Sequence, residues 1–316
     1  MPEMDGNDDI LSRVLAGETR AIARLMSKVE GRPADVAAIM AEIHKHAGKA
    51  HVIGLTGVPG SGKSTLVHAM AKALRAVGRT VGIVAVDPSS PYSGGAILGD
   101  RIRMGDLATD DGVFIRSLAT RGALGGLARA ALDTVDVLDA AGFDVVLIET
   151  VGVGQDEVDI AEAAQTVLVV SAPGLGDGIQ AIKAGVLEIA DIHVVSKCDK
   201  EESSRTVADL KAMLQLGSTA RNRYGWEVPV LRTSAETGLG IEEMIERLDA
   251  HRTHLSESGE GEIRKRRILE KRILKTAEDL LRQRIGEGDT LNGVVESTLG
   301  GELSPRQAAE ELLKTI

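Results

Sequence analysis

Between Gly57 and Ser64 the chain reads Gly-Val-Pro-Gly-Ser-Gly-Lys-Ser, a spacing of glycines, one lysine and one hydroxyl that suits chemistry on phosphate. Glycines at Gly57, Gly60 and Gly62 let the backbone around Val58, Pro59 and Ser61 curl until several N–H groups point inward at phosphate oxygens. A helix starting at the end of the loop adds its positive end. Lys63 is placed to bridge β- and γ-phosphates, Ser64 to set its hydroxyl on Mg²⁺, and Thr65 to bring its N–H near the α-phosphate. Three acids, Asp87, Asp100 and Glu149, lie at strand ends or in loops able to converge on that ion. Magnesium held by a triphosphate needs only one or two protein carboxylates, so not all three are direct ligands.

A second constellation reads a base. Ser196-Lys197-Cys198-Asp199 closes an apolar run, at the end of a strand where open α/β sheets form their ligand crevices. It resembles the [NT]-K-x-D guanine motif. Guanine presents N1–H and an exocyclic amine side by side, and one carboxylate, Asp199, accepts both; adenine has no such pair. A site built on that carboxylate favours GTP over ATP. Lys197 lays its alkyl stem over the purine face. Downstream, Thr233-Ser234-Ala235 resembles the backbone loop that contacts the guanine O6. Ser196 stands where Asn is usual, which predicts weaker tying of the loop.

These residues need a sheet to hold them. From His51 onward, apolar runs alternate with helical patterns: 51–57, 80–87, 112–117, 143–150, 165–172, 191–197 and 228–235. Near-continuous Val, Ile and Leu suits strands buried on both faces, so the fold class is a doubly wound, mainly parallel α/β domain over 48–250. Ahead of it, 1–47 reads as an extension of two helices broken near Gly31–Asp35. After it, 251–316 reads as a helical arm: Ser256–Glu262 has linker character, apolar residues from Ile263 to Ile285 make one stripe, Gly286–Gly293 turns the chain, and a last helix starts near Ser304.

Composition narrows the partners. Forty-seven acids against 37 bases give a net charge of −10, which disfavours nucleic acid and anionic lipid as partners. Five aromatic residues offer little base-stacking surface. The basic run Ile263–Lys275 shares its helix with an apolar stripe and reads as a solvated face. No apolar run approaches the roughly 20 residues of a membrane span, and an acidic N-terminus without an apolar middle predicts a cytoplasmic protein. Cys198 is the single cysteine, which excludes an intramolecular disulfide and a multi-thiolate zinc site.

Four stretches, Thr56–Leu66, Val86–Met104, Glu149–Glu157 and Gly176–Asp199, together resemble the MeaB/ArgK-type P-loop GTPases, chaperones of adenosylcobalamin-dependent methylmalonyl-CoA mutase. The likeness covers most of 40–250. It implies a GTPase in which Glu149-Thr150-Val151-Gly152 replaces the D-x-x-G of Ras-like switches, and Asp87, Asp100 and Glu149 sit near Mg²⁺ or the attacking water. No Ras-like water-positioning Gln is evident, and Gln155 and Glu149 are the candidates. The resemblance implies that GTP binding and hydrolysis to GDP gate cofactor loading, protection and reactivation of an acyl-CoA mutase, and it points to a homodimer formed through the arm. Asp156 departs from the family's usual Ser, which leaves a related acyl-CoA mutase open as the partner. Two other classes share this architecture: a metal-delivering GTPase of the hydrogenase or urease type, for which His44, His46 and His51 are the only candidate ligands, and a nucleotide-binding scaffold without turnover.

Overall fold

The computed structural model describes residues 6–31, 36–87, 105–119, 129–150, 159–174, 184–216, 224–286 and 290–314. Asp100 and Gln155 lie outside them, as does the side chain of Asp87. By internal packing the chain divides into two units, Met1–Lys265 and Arg266–Ile316.

All seven apolar runs form strands of one sheet: β1 (His51–Thr56), β2 (Val81–Asp87), β3 (Val113–Ala119), β4 (Val145–Thr150), β5 (Thr166–Ser171), β6 (Ile192–Val195) and β7 (Val230–Arg232). Their order is β3-β2-β4-β1-β5-β6-β7, and every neighbouring pair is parallel. Successive residues of a strand point to opposite faces, and here both faces are covered. Val52, Val146 and Val169 enter one apolar core, while Ile53, Leu147 and Leu168 enter the other. The first core lies under α1 (Gly6–Leu15), α2 (Thr19–Gly31), α3 (Val36–His46), α5 (Arg129–Ala140) and α7 (Ser203–Leu216). The second lies under α4 (Lys63–Ala76) and α8 (Ile241–Glu257). A short α6 (Ala184–Glu188) precedes β6. Because the strand order reverses around β1, the loop after β1 opens into the crevice of the sheet.

Three details differ from the sequence expectation. Among its described residues the N-terminal segment holds three helices, because Gly17 (φ 76°) follows α1 in the left-handed conformation and Arg13 grips Glu18 beyond the break at 2.6 and 2.7 Å. The expected linker at 256–262 is mostly helix: α8 continues to Glu257 and α9 (Glu260–Gly286) begins three residues later, with Gly259 (φ 74°) between them. Residues 290–293 of the expected turn at 286–293 are helical, as the start of α10 (Thr290–Leu299), which is followed by α11 (Pro305–Lys314).

Three histidines are buried in the sheet layer. His51 opens β1, His193 lies in β6, and His251 projects from α8; each is at most 1% exposed. Burial pushes His51 and His251 down to about 3, helped by nearby Arg252 and Arg264 respectively, and burial alone pushes His193 down to about 4. Folding therefore holds all three neutral, and their stabilisation is complete above the ordinary histidine pKa near 6.5. As pH falls below it, the unfolded chain takes up protons that the folded chain refuses. Stability then drops by up to about 4 kcal/mol per pH unit, enough to unfold a domain of ordinary stability by about pH 4. Thermal midpoints measured between pH 8 and 4.5 are expected to be level above pH 7 and to fall steeply below pH 6; a flat profile contradicts the assignment.

Candidate nucleotide site

The phosphate loop spans 57–62, between the end of β1 and the first turn of α4. Gly57 (φ 137°) passes so close to β5 that a Cβ there would sit 2.1 Å from the Val170 carbonyl oxygen. Only glycine fits, for reasons of both backbone angle and space. Gly57→Ala must therefore push the loop off β5. Nucleotide binding is expected to be lost while the sheet remains folded, as checked by calorimetric titration alongside circular dichroism. Retained binding would remove Gly57 from the site.

Gly62 (φ 86°) is the N-cap of α4 and brings no side chain to cap its first turn, so the positive end of the helix suits an anion. Pro59 and Gly60 are exposed, Val58 and Gly62 half-buried, and Ser61 fully buried, with its N–H closing a turn on the Val58 carbonyl at 3.2 Å. Thr65 is exposed at the start of α4. Lys63 is 6% exposed, and its ammonium donates to the Gly57 and Val58 carbonyls at 2.8 and 3.2 Å, which holds it inside the loop's concavity.

Glu149 is the penultimate residue of β4, directly paired with Leu55 of β1. The sheet thereby sets its side chain against the first turn of α4, where Ser64 Oγ donates to Glu149 Oε1 at 2.6 Å. A hydroxyl and a carboxylate brought together at the mouth of a phosphate loop form a hard-oxygen donor set, the kind magnesium takes. Ser64 and Glu149 thus fit the ion. The backbone of Asp87 ends β2 in the strand position next to β4.

The base-reading segment follows β6 and is tied down on three sides. Ser196 N–H donates to the Ser171 carbonyl at 2.8 Å, Cys198 N–H to the Thr233 carbonyl at 2.9 Å, and Thr233 N–H to the Val195 carbonyl at 2.8 Å. The Ser196 hydroxyl lies 2.5 Å from the Ser61 carbonyl and 3.1 Å from that of Ser171. Its single proton can serve one of them at a time. The shorter side chain therefore still ties the segment to the phosphate loop. Lys197 adopts the left-handed conformation (φ 54°), uncommon for a residue with a Cβ, and its ammonium donates to the Gly60 carbonyl at 2.8 Å. Asp199 is exposed, and a hydrogen bond from the Ser234 hydroxyl holds its carboxyl below the usual range. Ser234 is buried and Ala235 half-buried beside it.

The structure thus gathers the phosphate loop, Glu149, Ser196–Asp199 and Thr233–Ala235 at the carboxyl ends of β1, β4, β5, β6 and β7. Sequence reasoning missed Ser171, which receives Ser196 and ends β5 beneath the loop; a polar residue closing the run Val167–Val170 was its only trace. The candidate metal ligands divide otherwise: His44 Nδ1 lies 3.4 Å from Asp136, whereas buried His51 Nε2 meets Thr166 Oγ1 at 2.8 Å.

Comparison with known proteins agrees on one family. A family model described as methylmalonyl Co-A mutase-associated GTPase MeaB matches residues 20–290. A relative from Pyrococcus horikoshii, named as a GTPase, is 42% identical and aligned over 98% of each chain. GTPase ArgK of Escherichia coli is 35% identical over 95% of each chain. Among solved structures, a crystal structure titled LAO/AO transport system kinase superposes with a TM-score of 0.73 at 26% identity, covering 100% of this chain and 99% of that one.

Proposed function

This chain belongs to the MeaB family of GTPases, and from that membership we propose that it uses GTP binding and hydrolysis to gate adenosylcobalamin loading, protection and reactivation of an acyl-CoA mutase, methylmalonyl-CoA mutase first. The observation that carries the reading is the match of a mutase-associated GTPase model over 20–290 to a chain whose phosphate loop, Glu149 and Asp199 converge on one crevice. Leading N–H groups of α4 and the Lys63 ammonium take the phosphate charge. Asp199, oriented by Ser234, accepts from the guanine edge. Ser64 and Glu149 would hold Mg²⁺, which would supply positive charge against that of the phosphates. Glu149, and Gln155 outside the described residues, are the groups to orient the attacking water. Turnover by the isolated chain is slow and is raised by the partner, in keeping with the lack of an evident Ras-like water-positioning Gln in the sequence.

The reading includes a cytoplasmic location; among the described residues, no helix is long and apolar enough to cross a membrane. It acts as a homodimer. Support for this lies in the second unit, where Leu269, Ile273, Leu274 and Leu280 of α9 and Leu299 of α10 are between 42% and 76% exposed, more apolar surface than an isolated arm keeps in water. Light scattering of the full chain is expected to give a dimer, and of an Ile273→Glu/Leu280→Glu variant a monomer; a wild-type monomer contradicts the dimer.

The function itself is tested by following mutase activity over hours of turnover. Activity should persist with the wild-type chain and GTP, and decay with the Lys63→Ala variant as fast as with no chain added. Equal decay with and without wild-type chain sinks the chaperone reading and leaves GTP hydrolysis standing.

A further inference from the structure

A buried polar cluster lies at the opposite end of the sheet from the nucleotide. Asp191, 3% exposed, immediately precedes β6, and its Oδ2 accepts the Val167 N–H of β5 at 2.8 Å. Arg264, in the first turns of α9, reaches both carboxylate oxygens at 2.7 and 2.5 Å and the Gln165 carbonyl at 2.9 Å. Its Nε and Nη2 also donate to Glu260 Oε1 at 2.7 and 2.5 Å. All five guanidinium N–H groups are thereby used. Trp226 Nε1 donates to the Asp191 carbonyl at 2.8 Å and sets its ring edge-on to His251 at 4.8 Å. The hydroxyl of Thr166, the first residue of β5, lies 2.8 Å from His251 Nδ1 and 2.8 Å from His51 Nε2. Burial pushes the Asp191 carboxyl up while the guanidinium opposes it.

The nucleotide chemistry uses none of these residues, yet a cluster this buried and this polar is costly unless fully satisfied. Its place is informative. The guanidinium clamps the starts of β5 and β6 together, and the other ends of the same two strands carry Ser171 and Ser196 to Asp199. β6 has only four residues, about 13 Å of extended chain. A strand that short, hydrogen-bonded on both sides to β5 and β7, has little freedom to absorb a shift at its start. Among the described residues Arg264 itself donates to neither β1 with α4 nor β4, the elements that carry the phosphate-binding groups; β1 meets the cluster indirectly, through His51 on Thr166 and Val52 on Gln165.

We propose that Arg264 is a positioning residue for guanine: through Asp191 it fixes the register of β6 against β5, and so the aim of Asp199 at the base. This rests on reading Asp199 as the guanine acceptor. It makes the first turns of α9 part of the base site, so that whatever grips the chain there alters nucleotide affinity without touching the nucleotide.

The test compares GTP with inorganic triphosphate, which has no base, as ligands of full-length wild type, Arg264→Met and Arg264→Lys. For Arg264→Met, GTP affinity should fall about tenfold, triphosphate affinity should stay within about twofold, and kcat at saturating GTP should be nearly unchanged; Arg264→Lys, which keeps the charge but not the five-donor fork, should show a smaller loss of the same kind. If the Met variant does not fold, the Lys variant carries the test. Equal losses for both ligands mean general loosening and overturn the proposal. An unchanged GTP-to-triphosphate ratio in a variant of a guanine-preferring wild type overturns it alone. A wild type that binds GTP no tighter than triphosphate overturns the base reading first and this proposal with it.

Discussion

Lys63→Ala is expected to lower GTP turnover by about 10²–10³-fold or more, the scale on which a preorganised donor stabilises transition-state charge. The lysine is the first residue of α4 and is nearly buried, with its ammonium held by the Gly57 and Val58 carbonyls in the concavity where phosphate must lie. Removing it leaves those two carbonyls without this charged donor, a loss of about 1–3 kcal/mol. The thermal midpoint should therefore move by only a few degrees while hydrolysis collapses. The two readouts together separate a catalytic role from a packing role: a variant that keeps most of its turnover removes Lys63 from the chemistry, and a variant that unfolds makes it structural.

Asp199→Asn is expected to exchange the preferred base. The carboxylate can accept from N1–H and the exocyclic amine of guanine, and the Ser234 hydroxyl keeps it ionised and aimed. An amide in its place presents a donor to the exocyclic amine, so GTP affinity should fall on the order of 10²-fold. Xanthine carries a carbonyl where guanine carries that amine, and the same amide can donate to it, so xanthosine triphosphate should gain. Titration of both nucleotides with both proteins reads the crossover directly. Unchanged GTP affinity in the variant would show that Asp199 does not read the base.

How much of this was legible in the chain depends on the range of each interaction. The seven strands announced themselves because a parallel sheet covered on both faces demands unbroken apolar runs, and the phosphate loop because its glycines and lysine are contiguous. The sequence placed Ser64 at the start of a helix and offered Glu149 as one of three acids able to reach it, and the structure joins those two, 85 residues apart. The breaks between helices were less visible: Gly17 ends α1 through one backbone angle, and the polar stretch 256–262 looks like a linker by composition although most of it is helical. The Arg264–Asp191–Glu260 cluster was not legible at all. Its arginine sits in a run of bases that reads as a solvated face, and nothing local marks which of those bases meets an aspartate 73 residues earlier. Ser196 was read as a weakened Asn, and only the geometry showed its hydroxyl already against the phosphate loop.

The most direct test of the account is single-turnover hydrolysis of GTP and of ATP by the wild-type chain, alone and with an adenosylcobalamin-dependent methylmalonyl-CoA mutase. The expected result is slow GTP cleavage by the chain alone, clear acceleration when the mutase is added, and little ATP cleavage in either case. ATP cleaved as readily as GTP, or GTP cleavage indifferent to the mutase, would contradict it.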